Sequence, residues 1–209
     1  SVQYKSTEQQ RTIRMDRVED LSERLKIMQA ENKQLLDEIE ALRKHGAGAA
    51  TDSGMERLNI LAGSTDVEGE GVEIVLDDSN LARSANENPN LYIIHDEDLL
   101  RVLNELCAAG AEAISINDQR IVATTEVRCA GPTVSVNNVR SAPPYVIKAI
   151  GNPKNLTSAL RLRGGVVETF EFWGIQVKIK TNDKVHIPAL NSPRNFEYAK
   201  VVKAKEGQK

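Results

Sequence analysis

Gly110-Ala-Glu-Ala-Ile-Ser-Ile-Asn-Asp-Gln-Arg120 is the stretch whose reading decides the fold. Gly110 closes a helix, because glycine takes the left-handed backbone of a helix stop without steric cost. Ala113 to Ile116 then reads as a strand, and Asn117-Asp118 is the residue pair that a tight hairpin favours. A returning strand is expected from Arg120 to Cys129. The same grammar recurs about 55 residues later. Leu160-Arg-Leu-Arg-Gly-Gly165 ends a helix, and a second hairpin is expected from strands 166–172 and 175–181 about Trp173-Gly174.

Working outward, Gly71–Asp78 alternates as a half-buried strand, and Ser79 to Ile93 is a long connection. Asp96 is placed to cap a helix with the apolar face Leu99, Leu100, Leu103, Leu106 and Cys107. Tyr145–Ile150 leads the second unit, and Asn152-Pro153 opens a helix carrying Leu156, Ala159, Leu160 and Leu162. Between the units lies an irregular arm from Gly131 to Pro144, with a strand expected at Thr133–Val139. The expected fold class is therefore α+β: two βαββ units in a ferredoxin-like domain, antiparallel sheet with helices on one face.

A different pattern governs the N-terminal part. Val18, Leu21, Leu25, Met28, Asn32, Leu35, Ile39 and Leu42 alternate in steps of three and four, a heptad seam without Gly or Pro. Asn32 at an a position favours two parallel strands in register, where the two amides satisfy each other. Glu38 and Arg43 suit g-to-e′ pairing, although Leu36 widens the seam. A coiled-coil homodimer is the expectation. The chain thus divides into a coiled-coil helix at 1–45, a hinge and short helix (Met55 to Leu61) at 46–70, the α+β domain at 71–190 and a tail at 191–209.

Composition excludes more than it identifies. The 209 residues carry a net charge of −3 and only 4% aromatics, which gives no sequence-independent pull on nucleic acid. No run approaches the ~20 apolar residues of a membrane span. The chain opens at Ser1 rather than Met, so a preceding segment is expected. Cys107 and Cys129 lack zinc-ligand spacing and read as buried free thiols. His45, His95 and His186 share no spacing, so no metal or other cofactor is expected. Serine-hydrolase, P-loop, zincin and dinucleotide signatures are absent, and no enzymatic activity is expected.

Three groups of polar or aromatic residues merit weighing. Asp77-Asp78 suits a divalent cation, yet turn chemistry explains Asp-Asp-Ser-Asn as well. Asn117 belongs to the hairpin turn, but Arg120, Arg128 and Arg140 need another account. On one unbroken strand, Arg120 and Arg128 would share a face and grip a carboxylate or phosphate. Surface pairing with Glu112 and Glu126 is the plainer alternative. Phe170 and Phe172 would share one strand face, where core packing outweighs nucleobase stacking.

Read together, Ala113-Ile-Ser-Ile-Asn-Asp-Gln-Arg-Ile121, Thr125-Glu-Val-Arg-Cys-Ala-Gly131, Pro143-Pro144, Ala149-Ile-Gly151 and Leu156 resemble a bacterial family. It is the division-initiation-protein-like domain-of-unknown-function family 881. The resemblance spans about 55 to 207, including Gly69-Glu-Gly71-Val72 and Ile187-Pro188-Ala189, and its family-typical positions are Asn117, Arg120, Gly151 and Gly165. It implies an N-terminal membrane anchor absent from this chain, with this region outside the bacterial cell membrane, and genes lying near those of division and envelope. No catalytic residue comes with it.

The expected function is a non-enzymatic, membrane-anchored extracytoplasmic scaffold that meets an unidentified envelope or division protein. Asn117, Arg120, Arg128 and Arg140 are its candidate contacts. The alternative is a small-ligand sensor taking an anionic metabolite or cell-wall fragment.

Overall fold

The computed structural model describes residues 26, 29, 30, 33, 34, 49–81, 88–191, 196–200 and 202. All eight seam positions, Val18, Leu21, Leu25, Met28, Asn32, Leu35, Ile39 and Leu42, lie outside the described residues. Lys26, Gln29, Ala30, Lys33 and Gln34 are helical and exposed. The chain divides into two units, Ser1–Asp52 with Ser192–Lys209, and Ser53–Asn191. The second carries the sheets.

The described strands are β1 (Val67–Asp77), β2 (Ala113–Ile116), β3 (Gln119–Arg120), β4 (Val127–Ala130), β5 (Thr133–Val136), β6 (Val139–Ser141), β7 (Tyr145–Ile150) and β8 (Gln176–Ile187). The helices described in full are α1 (Ala49–Ala62), α2 (Asp96–Ala108), α3 (Pro153–Leu160) and α4 (Val166–Phe172). Five strands make an antiparallel sheet in the order β3-β2-β7-β1-β8, and β4-β5-β6 form a three-stranded meander.

Strand periodicity places the core. Val72, Ile74 and Leu76 of β1 lie opposite Ala149, Ile147 and Tyr145 of β7, and all six are buried. Against this face pack Leu99, Val102, Leu103 and Leu106 of α2, Leu156 and Leu160 of α3, and Val166, Val167 and Phe170 of α4. Val134 and Val136 of the meander join the same core.

The register shifts between Gly69 and Gly71, which pair with Val185 and Asn182. One extra residue on β8 turns its later side chains to the other face. There Val185 and Ile187 meet Val67, Ala113 and Ile150 in a second, smaller cluster. A Cβ on Gly71 would lie 2.0 Å from the Ala149 carbonyl oxygen, so only glycine allows β1 and β7 this approach.

Several expectations need correcting. Residues 166–172 are helical: Val166, Val167 and Phe170 fall on one helix face, and Thr169 Oγ1 donates to the Gly165 carbonyl. The second unit is thus strand, two helices, strand, and not a second βαββ copy. Arg120 to Cys129 is not one strand, because Val122 N donates to Thr125 Oγ1 in a turn between β3 and β4. Thr133–Val139 is two strands joined by Asn137 and Asn138, both at positive φ (51° and 62°). His95 is the N-cap of α2, where its N–H donates to the Asp98 carboxylate at 2.9 Å; Asp96 is the first helical residue. The helix expected from Met55 starts at Ala49, β1 starts at Val67, and β8 runs on to Ile187. Cys107 and Cys129 are free and exposed, not buried.

Candidate functional site

The hairpin at 113–120 folds as its residues demand. Asn117 and Asp118 both take positive φ (46° and 61°), the geometry of a two-residue turn matching strand twist. Asn117 extends the ladder: its N–H donates to the Val146 carbonyl at 2.8 Å, and its Oδ1 accepts from Val146 N at 2.7 Å. Asp118 meets Lys148 Nζ at 2.8 Å. Asn117 is therefore a structural residue of the sheet.

Arg120 pairs with Ser115 and is 2% exposed. Its Nη2 donates to the Ile60 carbonyl at 3.0 Å, while Nη1 approaches the carbonyls of Thr65 (3.3 Å) and Pro188 (3.5 Å). Ile60 lies in the last turn of α1, where a cation is favoured; its carbonyl also accepts from Gly63 N at 3.1 Å. Burial lowers the affinity of this guanidinium for its proton, and Asp66 opposes the shift. The Arg120 carbonyl in turn accepts from Thr125 Oγ1 and from Asn137 Nδ2, the latter at 2.8 Å. Neither the anion grip with Arg128 nor a pairing with Glu112 is formed. Arg120 joins α1, the approach to β1 and the exit from β8.

Arg128 and Arg140 are brought together instead. In the meander, Arg128 and Arg140 flank Ser135 from either side on one face. Both are exposed, while Ser135 between them is 3% exposed. Two strand spacings separate them, roughly 10 Å at the backbone. Neither has an ion-pair partner among the described residues. Glu126 serves the Asn137-Asn138 turn, accepting from Asn138 N.

The meander is tied to α2 by a reciprocal contact. Cys129 N donates to Asp96 Oδ2 at 2.8 Å, and Asp96 N donates to Cys129 Sγ at 3.4 Å. The Cys129 N–H is the main cause holding the Asp96 carboxyl below its usual range. Partial desolvation, the largest cause, pushes the thiol of this exposed cysteine up. Asp77-Asp78 is turn chemistry: Asp77 Oδ1 accepts from Asp78 N, and Asp78 Oδ1 from Ile94 N, each at 2.9 Å. No group of three metal-ligating side chains occurs among the described residues.

Sequence reasoning missed the aromatic end of the domain. Phe170 is buried, but Phe172 is 76% exposed, so the two do not share a face. Trp173 packs edge-on against Phe172 (centroids 5.0 Å apart) and against Tyr92 (6.1 Å). A cleft of about 370 Å³ opens beside Trp173 and the first turn of α2. The signal available was Trp173 itself, the single tryptophan of an aromatic-poor chain.

A family described as "Bacterial protein of unknown function (DUF881)" matches residues 54–200. UPF0749 protein YlxW of Bacillus subtilis is 33% identical over 135 residues, covering 65% of this chain and 58% of that protein. UPF0749 protein Rv1825 of Mycobacterium tuberculosis is 32% identical over 195 residues, covering 89% of this chain and 63% of that protein. The chain thus spans about three fifths of the length of these curated relatives. A crystal structure of an uncharacterized conserved protein from Mycobacterium tuberculosis is similar with a TM-score of 0.58 and 33% identity, over 71% of this chain and 99% of that one.

Proposed function

The chain belongs to the bacterial family of unknown function DUF881, and from that premise we propose that its α+β domain is a non-enzymatic interaction head. An N-terminal anchor outside this chain holds it beyond the bacterial cell membrane, and the 18–42 seam pairs it with a second copy. Among the described residues no helix is long and apolar enough to cross a membrane. The order β2-β7-β1-β8, with helices following β1 and β7, supports a ferredoxin-like reading of the head.

One observation carries the reading: Arg128 and Arg140 stand exposed on one face of the meander, flanking buried Ser135. Two guanidiniums held by a paired backbone make a forked donor surface for carboxylates of an envelope or division protein. Val139 precedes Arg140 on the edge strand β6 and is exposed on its opposite face, beside this surface and not on it. A sensor that grips an anionic metabolite through Arg120 finds no support here, since that guanidinium faces backbone carbonyls.

The test is photo-crosslinking in cells from position 139 of the anchored, full-length protein. A discrete adduct that disappears in the Arg128→Gln/Arg140→Gln variant supports the reading. An adduct indifferent to that change, or none, rejects it.

A further inference from the structure

The aromatic end of the head has the composition of a peptide-binding surface. The chain has eight aromatic residues (Trp 1, Tyr 4, Phe 3), yet Tyr92, Phe172 and Trp173 interlock edge to face in one place. Phe172 is 76% exposed there, with Leu91 at 39%. Leu81, 52% exposed, adjoins them: a Cβ on Gly174 would lie 2.4 Å from its side chain. Exposed aromatic clusters beside a concavity are where interface energy concentrates.

The adjoining cleft, about 370 Å³, has Leu91, Phe170 and Trp173 among its apolar lining. Asp96, Glu97 and Asp98, the first turn of α2, line it too. Arg101 also lines it, and the helix end contributes about +0.5 of an elementary charge. Three carboxylates outweigh both, so the cleft is negative. Asp96 and Asp98 are held by Cys129 N and His95 N, which fixes their positions. The Glu97 carboxylate has no partner among the described residues.

We propose that this cleft receives an extended segment of a partner protein, placing a lysine or arginine between Trp173 and the α2 carboxylates and an apolar side chain against Phe172 and Leu91. The cation gains from the indole face and from Glu97 at once, and the apolar neighbour covers ring surface now in water. The proposal rests on the reading of the head as an interaction module and adds a second contact with its own chemistry. The Cys129–Asp96 bonds set the meander beside this cleft, so one partner can engage both.

Trp173 makes the test specific, because its fluorescence is the only indole signal of the chain. The full chain is titrated with a capped Lys-Leu-Lys-Leu peptide and, separately, with Glu-Leu-Glu-Leu. The lysine peptide is expected to give a saturable change in Trp173 emission with a midpoint at or below about 1 mM. Raising salt from about 0.05 to 0.5 M weakens it about fivefold. Glu97→Gln weakens it severalfold, and Phe172→Ala removes it; both side chains are exposed, so neither change threatens the fold. No saturation by about 10 mM, or an equal response to the glutamate peptide, overturns the site. Arg128→Gln/Arg140→Gln is expected to bind the lysine peptide unchanged. Failure of the titration therefore leaves the meander reading to its own crosslinking test.

Discussion

Arg120 Nη2 donates to the carbonyl of Ile60 at 3.0 Å, a bond between residues 60 apart in sequence. It fixes the end of α1 to the sheet, and Thr65 and Pro188 share the same guanidinium. Replacing Arg120 by Gln removes a buried charge-assisted bond and takes the guanidinium away from the Thr65 and Pro188 carbonyls, whereas Ile60 keeps Gly63 N. A loss of about 2–3 kcal/mol in urea unfolding is expected, with faster hydrogen exchange in 54–62. Arg120→Lys does not restore it, since an ammonium lacks the planar fork.

Two glycines with opposite surroundings give a paired prediction. Gly71→Ala puts a methyl group 2.0 Å from the Ala149 carbonyl oxygen and forces β1 from β7. It is expected to destabilise by at least about 2 kcal/mol. Gly54, within α1, has nothing within 4 Å of an added Cβ. Gly54→Ala is expected to stabilise by about 0.5–1 kcal/mol through helix propensity. Thermal unfolding of both variants checks the contrast.

Asn117 serves the hairpin twice, through its positive φ and through its bond to Val146 N. Asn117→Gly keeps the first and loses the second, at about 1 kcal/mol. Asn117→Ala loses both, at about 2–3 kcal/mol. Equal denaturation midpoints for the two variants would contradict this division.

Asp96 links stability to acidity. Its folded pKa lies below 3.8, chiefly because Cys129 N–H bonds the charged form. A depressed carboxyl contributes stability above its unfolded pKa and loses it as pH falls through the folded value. Wild-type unfolding midpoints should therefore drop more steeply below pH 3.8 than those of Asp96→Asn. Because Asp96 is only partly buried, the difference is expected to be small and to shrink in salt.

The elements with strong local chemistry were legible in the sequence. Asn117-Asp118 announced the hairpin, Gly110 the helix stop (φ 86°), and Asn152-Pro153 the start of α3. The seven residues of α4 were not. Val166 to Phe172 is short, β-branched and aromatic, and so brief an apolar run suits either a strand or a buried helix. Packing of Val166, Val167 and Phe170 into the core decided it. Among the candidate site residues, the arginines were identifiable as a group but not by role. Arg120 and Arg128 part company at the Val122–Thr125 turn, which sends one inward and leaves the other in water. The cleft beside Trp173 joins segments some 80 residues apart and has no local signature.

The division between an inward Arg120 and an outward Arg128–Arg140 pair is the centre of this account. The most direct measurement compares the position-139 crosslink and the melting temperature in Arg120→Gln and Arg128→Gln/Arg140→Gln. The account predicts that the double variant keeps its melting temperature and loses the adduct, whereas Arg120→Gln melts several degrees lower. An undiminished adduct in the double variant, or an unshifted melting temperature in Arg120→Gln, would contradict it.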